Sequence, residues 1–515
     1  MASSVVADDG AKSRPEASAL DTLLADHSLR LQKWQSAGLD GGADGGVLPD
    51  PAGVFCNREL RLSDSIDVIG FDYDMTLAVY TEELQSLIFH LATKHLVEVM
   101  GYPEALRSAE YTHNWAIRGL AFDKAKGLII KLDAFNFVDD SAVFAGTRRL
   151  SRQQVAELYS TSRHLPKNYM RDHVQVMHDL FCLPEIELLA GIVDLFAERS
   201  VVYDPSYVVA DVRTAVEAVH QGLTDPGMHR TIMRHPEKYL VRDDRLGALL
   251  AEIRASGKKS FLLTNSPFPF VDAGMRYILD DDEWRRHFDI VSCTAAKPAF
   301  FNSTRPFRKL WRPSTGSPEL SWKTVDSFEP GSVYVHGSVD AFHKLGGFTS
   351  PDRILYIGDN LPSDLVSPAR KHSWRTAAII RELESEIAVT NSEQALRLRG
   401  VLAETKKTIS ALTDAMYSAS PDAAAEHYVA ALGQLRREHR ETEEAIAGLF
   451  TAPFGPTMRA RDHVSHFCAT VEKYADVYTA SVVNFLRSGG LAYDYFPKVR
   501  LAQHESPPPP PGASP

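Results

Sequence analysis

The stretch IDVIGFDYDMTLAVY, at Ile66–Tyr80, begins with an apolar run and continues into two aspartates, Asp72 and Asp74. Because side chains alternate along a strand, a buried strand at Ile66–Phe71 would place both carboxylates on the same side, where the strand ends. Two carboxylates at the carboxyl end of a parallel strand can hold a divalent metal and perform acid/base chemistry. The alternative is a strand followed by an aspartate-rich turn, and the short DxDxT pattern alone does not exclude it.

Three further apolar runs also end in polar side chains. Each run is typical of a short buried strand, and the polar residues follow it within a few positions: Thr264 and Asn265 follow Lys259–Leu263, Lys297 follows Phe288–Cys293, and Asp359 and Asp364 follow Ile354–Ile357. An open α/β sheet gathers the carboxyl ends of its parallel strands in one crevice, so we expect these groups to meet the two aspartates there.

The order of these motifs resembles that of the haloacid dehalogenase (HAD) superfamily of aspartate-nucleophile phosphohydrolases. The four motifs of that superfamily are DxDxT, a hydroxyl residue with asparagine, a lysine and GDxxxxD, and all four occur here in that order. One such match arises easily by chance, but four in order after predicted strands do not. The resemblance therefore implies a phosphohydrolase.

A divalent cation is the first requirement of this chemistry. A phosphate monoester is anionic and repels an attacking carboxylate unless its charge is neutralised. We expect Mg²⁺ to be held by Asp72, the backbone carbonyl of Asp74 and Asp359, with waters and a phosphate oxygen completing an octahedron. Asp364 is expected either as an outer ligand or as a residue that orients the ligands.

The expected catalytic roles follow from the same motifs. Asp72 would act as the nucleophile and form an aspartyl-phosphate, while Asp74 would protonate the leaving oxygen and then activate water. Lys297 would pair with Asp72 and the phosphoryl oxygens and keep the nucleophile ionised. Thr264 and the backbone around Asn265 would hydrogen-bond the transferring group. The alternatives are a solvated surface lysine for Lys297 and a turn hydroxyl for Thr264, and the motif order favours the catalytic interpretation.

The bulk composition weighs against several classes of protein. The net charge is −11 and no basic block is present, which argues against a nucleic-acid polymer as partner. The four cysteines are scattered without CxxC spacing, which is typical of reduced thiols in a cytoplasmic protein rather than of a disulfide framework or a zinc site. No apolar run is long enough to cross a bilayer, and the start of the chain lacks an apolar signal core. We expect a cytoplasmic protein with no membrane partner.

The spacing of the motifs predicts the domain organisation. A chain of 515 residues exceeds what one core usually holds, and the distance from Thr76 to Lys259 is too long for one crossover helix. Two amphipathic segments, Leu396–Met416 and Ala423–Leu449, predict a helical hairpin. The predicted fold class is α/β, a HAD-like doubly wound parallel sheet core with an inserted, mainly helical cap domain and a helical C-terminal extension. The predicted segments are a disordered or helical extension and linker at 1–53, core at 54–83, cap at 84–236, core at 237–390 with an insertion at 300–347, a helical region at 391–506 and a proline-rich disordered tail at 507–515.

A narrower resemblance covers the chain from about Val54 to Ser506. The motifs that carry it are FDYDMTLAVY, RGLAFDKAKGLIIK, FLLTNS, AAKPAFF, YIGDNLPSDL, SWRT, FGPTMR, YADVYTASVVNFL and HES. They are similar to the cytosolic purine 5′-nucleotidase family and its 5′-nucleotidase domain-containing relatives. The resemblance implies hydrolysis of nucleoside 5′-monophosphates with a preference for 6-oxopurines such as IMP and GMP. It also implies Mg²⁺, phosphotransfer to a nucleoside acceptor, and a homo-oligomer.

The substrate-binding residues depart from the family pattern. In the purine nucleotidase an Arg and an Asp one helical turn apart, a His one turn later and a nearby Lys contact the nucleotide. The matching positions here are Arg213, Glu217 and His220; the acid is one methylene longer, and no lysine follows before Lys238. The alternative is that Arg213 and Glu217 form an i, i+4 surface pair, with His220 on the same face.

Three hypotheses therefore remain open. The chain is a Mg²⁺-dependent 5′-nucleotidase, another small-molecule phosphatase or phosphotransferase with the same core, or a weakly active scaffold protein that keeps the fold. The complete catalytic set disfavours the scaffold, because clustered carboxylates cost stability when no metal is bound.

Overall fold

The computed structural model describes residues 15–36, 49–311, 319–418, 425–450, 452–461, 463–486 and 490–497. The predictions for residues 1–14, for most of the linker before Gly53, for the HES motif and for the proline-rich tail lie outside these residues. By its contacts the chain divides into two compact units, one from the described parts of 1–50 and 386–451 and the other from those of 51–385 and 452–515.

The described residues form sixteen α-helices, which are, in chain order, α1 (Pro15–Ser36), α2 (Glu83–Glu98), α3 (Arg152–Tyr159), α4 (Lys167–His173), α5 (Leu183–Glu198), α6 (Pro205–His220), α7 (Met228–Arg234), α8 (Pro236–Tyr239), α9 (Asp244–Ala255), α10 (Phe268–Leu279), α11 (Val339–Gly346), α12 (Ser367–His372), α13 (Leu383–Thr390), α14 (Glu393–Ser418), α15 (Ala425–Ala447) and α16 (His466–Tyr474).

The same residues form twenty-one strands, which are β1 (Val54–Cys56), β2 (Leu60–Arg61), β3 (Val68–Phe71), β4 (Val79–Tyr80), β5 (Ala121–Asp123), β6 (Leu128–Leu132), β7 (Val138–Ala145), β8 (Arg148–Arg149), β9 (Val174–Val176), β10 (Leu240–Val241), β11 (Lys259–Leu263), β12 (Ile290–Cys293), β13 (Phe307–Trp311), β14 (Glu319–Leu320), β15 (Val333–His336), β16 (Ile354–Gly358), β17 (Arg375–Ile379), β18 (Arg459–Ala460), β19 (His463–Val464), β20 (Val477–Thr479) and β21 (Asp494–Tyr495).

A ten-stranded sheet forms the centre of the larger unit. Its order is β1-β20-β17-β16-β3-β11-β12-β15-β13-β14, and the seven strands from β20 to β15 are parallel. The four apolar runs predicted as strands are β3, β11, β12 and β16, with β3 buried along its whole length between β11 and β16. The predicted α/β fold is confirmed, and the strands that precede the polar motifs are neighbours in the sheet.

The segment between the first two motifs leaves and rejoins the core at one place. Strand β4 pairs antiparallel with β10, and the Thr81 N–H donates to the Tyr239 carbonyl at 2.9 Å. Between these strands lie helices α2 to α8, as predicted for a mainly helical insertion. The segment also contains a five-stranded antiparallel sheet, β8-β7-β6-β5-β9, which the sequence analysis did not predict. Its strands are mostly short, and two of them, β5 and β6, are buried along their whole length and so lack the alternation that marks a half-exposed strand.

Helices α14 and α15 cover the two amphipathic segments of the C-terminal region. Within the smaller unit their buried side chains Leu412, Tyr428 and Leu432 form a cluster with Leu20 of α1. The region beyond residue 452 then returns to the larger unit, where β20 pairs with β17 and β1. That three-residue strand was not predicted, because it is too short to carry a period. Among the described residues, no helix combines the length and the apolar character needed to cross a membrane.

Candidate active site

The predicted site residues lie at the carboxyl edge of the parallel strands. Asp72 follows β3 directly and Asp359 follows β16, its neighbour in the sheet. The carboxylate oxygens of Asp72, Asp359 and Asp364 lie within 4.8 Å of one another, and all three residues are buried. We call these three residues the acidic triad.

The acidic triad fits a divalent cation. Carboxylate oxygens are the ligands that hard cations such as Mg²⁺ and Ca²⁺ take in proteins. Asp359 Oδ2 is buried and has no hydrogen-bond partner among the described residues, although a buried carboxylate oxygen is costly to leave unpaired. A cation at the acidic triad would satisfy this oxygen.

Burial sets the electrostatics of the acidic triad. It raises the pKa of Asp72, an effect to which Asp364 and Asp74 add and which Lys297 opposes. Burial also raises the pKa of Asp359 well above its ordinary value, against the attraction of Arg118. Three carboxylates in one buried place therefore carry an electrostatic cost, which a bound divalent cation would offset.

Lys297 lies in contact with two members of the acidic triad. Its Nζ is 3.0 Å from Asp72 Oδ1 and 2.8 Å from Asp364 Oδ1, and it donates to the Tyr356 hydroxyl at 2.7 Å. Burial opposes its charge, but Asp364 and Asp72 outweigh this and raise the pKa of Lys297 above its ordinary value. The side chain is a buried ammonium and not a solvated surface lysine.

Asp364 is held in place by both of its oxygens. Oδ1 accepts from Lys297 and from the Ser363 hydroxyl, and Oδ2 accepts from the Asn360 N–H at 3.1 Å. A side chain at Gly358 could not be accommodated, since a Cβ there would lie 2.4 Å from Asp364 Oδ2. Of the two expected positions for Asp364, these contacts favour that of a residue that orients the ligands.

Asp74 lies outside the acidic triad, and its carboxylate is bound by two hydroxyls. The Tyr80 hydroxyl donates to Oδ1 and the Ser266 hydroxyl to Oδ2, both at 2.6 Å. The metal contact expected of its backbone carbonyl stays a prediction. A carboxylate fixed in this way beside Asp72 is placed for acid/base work.

Thr264 and Asn265 support the loop that carries Lys297. The fully buried Thr264 hydroxyl accepts from the Ser266 N–H at 3.1 Å. The Asn265 side chain accepts from the Lys297 N–H at 2.6 Å and donates to its carbonyl at 2.9 Å. The asparagine side chain therefore fixes the backbone of Lys297, and the predicted phosphate contact of the main chain at Asn265 stays a prediction.

The three substrate-binding candidates separate in the structure. Arg213 and Glu217 lie on α6 with side chains more than half exposed, 3.4 Å apart from Nε to Oε1, as in the surface-pair alternative. His220 ends the same helix, is half-buried, and packs edge-on against Phe181 at 5.2 Å. Phe181 in turn contacts the ring of Tyr80, so of the three only His220 is connected by packed rings to Asp74.

The sequence analysis missed several residues that hold the site. Tyr80, Ser266 and Tyr356 each lie within or beside a recognised motif, but a hydroxyl in a motif does not reveal its partner. Arg118 and Glu382 are 264 positions apart and form a partly buried ion pair next to Asp359. Residues so distant carry no local signal, and Arg118 appeared only as the first letter of a resemblance motif.

The comparisons with known proteins agree with this architecture. The fold is an open, mostly parallel α/β sheet, and a buried carboxylate cluster lies at the carboxyl edge of its parallel strands. The sequence model of the 5′ nucleotidase family matches residues 54–507. The chain therefore belongs to the 5′-nucleotidase family and is a hydrolase of that type.

Two curated relatives illustrate the match. The chain is 37% identical over 468 residues to 5′-nucleotidase domain-containing protein 2 of Homo sapiens, covering 89% of this chain and 86% of the relative. It is 35% identical over 462 residues to a 5′-nucleotidase domain-containing protein of Dictyostelium discoideum, covering 88% and 75%. A crystal structure of CbbY from Rhodobacter sphaeroides in complex with phosphate is 15% identical, covers 61% of this chain and 86% of its own, and has a TM-score of 0.23. That score is too low to support an argument.

Proposed function

We propose that this protein is a Mg²⁺-dependent 5′-nucleotidase that hydrolyses nucleoside 5′-monophosphates, purines by preference, through an aspartyl-phosphate on Asp72. The observation that carries the proposal is the pairing of buried Asp72 with the Lys297 ammonium at 3.0 Å, beside an Asp359 oxygen without a hydrogen-bond partner among the described residues. The family supports the nucleotide class of substrate. The purine preference rests on the resemblance of the motifs.

The metal would be held by Asp72 and Asp359 side chains and by the Asp74 backbone carbonyl, with Asp364 orienting the set. Bound there, Mg²⁺ would neutralise phosphate charge and so lower the repulsion that the nucleophile meets. Lys297, 3.0 Å from Asp72, would add a second positive charge.

The protein's own groups would carry the transfer. A carboxylate oxygen of Asp72 attacks phosphorus, and the bond between phosphorus and the 5′-oxygen breaks as Asp74 donates a proton to that oxygen. Water then attacks the aspartyl-phosphate, Asp74 takes its proton, and phosphate leaves. Because both Asp74 oxygens accept from hydroxyls here, the Tyr80 or Ser266 hydroxyl must turn when Asp74 carries the proton. Thr264 and the backbone at Asn265 would bind the phosphoryl oxygens.

One observation favours a second candidate, a phosphatase or phosphotransferase that acts on another small phosphate ester. Arg213 and Glu217 pair on the exposed face of α6, so the nucleotide contacts of the purine enzymes have no counterpart at these two positions. The core chemistry would be unchanged.

We also propose a cytoplasmic location and a homo-oligomer. Within the described part of the chain Cys56, Cys182 and Cys293 are free thiols, which supports a reducing compartment. The oligomer rests on the resemblance to the family, and light scattering of the purified chain would test it.

The test is phosphate release from a panel of nucleoside monophosphates and sugar phosphates, with Mg²⁺ or with EDTA. Asp72→Asn removes the nucleophile with little change of shape, and Asp352→Asn, at an exposed aspartate before β16, is the matched control. We expect release from a purine monophosphate that EDTA and Asp72→Asn abolish and Asp352→Asn leaves unchanged. Metal-dependent release from a sugar phosphate alone would replace the proposed substrate by the second candidate. No release from any ester would contradict both.

A further inference from the structure

Arg118 belongs to the inserted segment, yet its side chain is fully buried beside the acidic triad. It lies just before β5, and its guanidinium makes two hydrogen bonds to Glu382, from Nε to Oε1 at 3.0 Å and from Nη2 to Oε2 at 2.6 Å. Its remaining nitrogen, Nη1, donates to the backbone carbonyl of Asp359 at 3.1 Å. The Arg118 side chain thus connects the insertion to Asp359, whose Oδ2 has no hydrogen-bond partner among the described residues.

The bidentate ion pair with Glu382 fixes the orientation of the Arg118 guanidinium. Arginine and carboxylate joined by two parallel hydrogen bonds form a strong and geometrically fixed pair. Arg118 Nη1 lies 3.8 Å from Asp359 Oδ2, which is too far for a hydrogen bond. The guanidinium therefore fixes the backbone of Asp359 but does not occupy the oxygen that a cation would need.

Two further contacts hold this arrangement rigid. The guanidinium lies 4.9 Å over the ring of Phe467, and Gly119 (φ +86°) passes so close to it that a Cβ would lie 2.6 Å from Phe467 Cβ. Asn360, the next residue after Asp359, donates through its side chain to Asp179 Oδ2 at 2.9 Å. The insertion therefore forms hydrogen bonds to two consecutive residues, Asp359 and Asn360.

We propose that Arg118 is a positioning residue for the metal ligand Asp359, and that Glu382 keeps the guanidinium, which makes only a long ion pair of 3.8 Å to the Asp359 carboxylate, from moving into hydrogen-bond distance of it. The inference rests on the proposed Mg²⁺ site. Removal of the Glu382 charge would let Arg118 shift toward Asp359 Oδ2 and compete with the cation. Removal of both charges would take the competitor away.

The experiment is titration of Mg²⁺ into substrate-free protein by calorimetry, so that its result does not depend on turnover. Wild type, Glu382→Gln, Arg118→Lys and the double variant Arg118→Gln/Glu382→Gln are compared, with Asp359→Asn as the reference for a lost ligand. The matched control is Arg375→Lys, because Arg375 pairs with buried Asp476 at 2.8 Å at the amino end of β17, away from the site. Apparent Kd for Mg²⁺ and Tm are recorded for each.

We expect Glu382→Gln to raise the Kd for Mg²⁺ by about 10–100-fold, the scale on which residues behind metal ligands act. The double variant should recover part of this loss. Arg375→Lys should lower Tm and leave Kd unchanged. Arg118→Lys keeps the buried positive charge but loses the two parallel hydrogen bonds to Glu382, and it should also raise the Kd for Mg²⁺. If Glu382→Gln does not fold, the Kd of Arg118→Lys tests the role of Arg118 in its place.

The role of Arg118 would be overturned if Glu382→Gln or Arg118→Lys bound Mg²⁺ with the Kd of the wild type while Asp359→Asn lost Mg²⁺ binding. The proposed function would then still stand. Absence of Mg²⁺ binding to wild type would overturn the proposed metal site and this inference with it.

Discussion

The Tyr356 hydroxyl lies 2.7 Å from Lys297 Nζ and donates to the Leu263 carbonyl at 2.7 Å. With Asp72 and Asp364, it is the third acceptor around the ammonium, so three buried groups match the three N–H donors of the lysine. A phosphoryl oxygen that binds Lys297 must therefore replace or share one of them.

Tyr356→Phe tests this arrangement with the ring retained. The ring packs against Phe261 and Trp374, so we expect the fold to persist. Loss of the hydroxyl leaves the Leu263 carbonyl without its donor, which should cost about 1–3 kcal/mol in denaturant unfolding. It should also lower kcat by up to about 100-fold, the scale on which slight misplacement of a reacting group acts.

The control for this variant is Tyr334→Phe. Tyr334 is a buried tyrosine of β15 whose hydroxyl accepts from the Glu329 N–H at 2.7 Å, away from Lys297. Equal losses of kcat in the two variants would assign the effect to general destabilisation and not to Lys297.

The Tyr80 and Ser266 hydroxyls, which donate to the Asp74 carboxylate, should affect kcat more when the leaving group is poorer. Tyr80→Phe and Ser266→Ala each remove one hydrogen bond to the Asp74 carboxylate and loosen the group that would protonate the leaving oxygen. We expect kcat on a nucleoside monophosphate to fall by about 10–100-fold, within the range that general acid–base catalysis contributes. An aryl phosphate such as p-nitrophenyl phosphate, whose leaving group needs no proton, should be slowed less, because only the activation of water then depends on Asp74.

Tyr102→Phe is the matched control, since the Tyr102 hydroxyl donates to Asp211 at 3.0 Å within the insertion. If Tyr80→Phe slows both substrates to the same degree, the hydroxyl does not act through leaving-group protonation.

Glu187 should make stability depend on pH. This buried residue of α5 accepts from the Thr112 N–H at 2.8 Å, and burial raises its pKa to about 7 from an ordinary 4.5. Between these values the native state holds a proton that the unfolded chain has released, so the free energy of unfolding falls as pH rises from about 4.5 to 7. The loss should reach about 2–3 kcal/mol, at 1.4 kcal/mol for each unit of pKa.

Glu187→Gln should remove the share of Glu187 and leave that of Glu185, whose pKa burial also raises to about 7, while Glu198→Gln, at an exposed position of the same helix, should keep the full dependence. Denaturant unfolding of the three proteins from pH 4 to pH 8 measures it. Parallel curves for wild type and Glu187→Gln would show that Glu187 does not titrate in this range.

The parts of this fold that sequence predicts are those with a local pattern. Asp72, Thr264, Lys297 and Asp359 each follow an apolar run, and a parallel sheet brings the ends of such runs to one edge. Arg118 and Glu382 have no such pattern, because their pairing depends on how a long insertion folds back on the core. The antiparallel sheet of the insertion and strand β20 were not predicted for a different reason. Strands β5, β8, β9 and β20 have only two or three residues, too few for a period to be read, and β6 is buried along its whole length and so lacks alternation.

The candidate substrate residues on α6 should behave differently from one another. Arg213→Ala and Glu217→Ala remove an exposed pair, so each should change stability by a few tenths of a kcal/mol, about 0.5 at most, and leave KM unchanged. His220→Ala removes a half-buried ring that packs against Phe181, which in turn contacts Tyr80 beside the site, and we expect it to raise KM for the nucleotide. KM values of the three variants for one nucleotide test these expectations. A raised KM in Glu217→Ala would show that Glu217 contacts the nucleotide, as the acidic residue does in the family.

The most direct test of the account is to trap the covalent intermediate on Asp72. Wild-type protein turning over a nucleoside monophosphate with Mg²⁺ is quenched in acid and reduced with borohydride, which converts a phosphorylated aspartate to homoserine, and the peptides are mapped by mass spectrometry. We predict homoserine at position 72 alone, and none when EDTA replaces Mg²⁺ or when substrate is omitted. Phosphate release with Asp72 unmodified, or with homoserine at another aspartate, would contradict its role as the nucleophile.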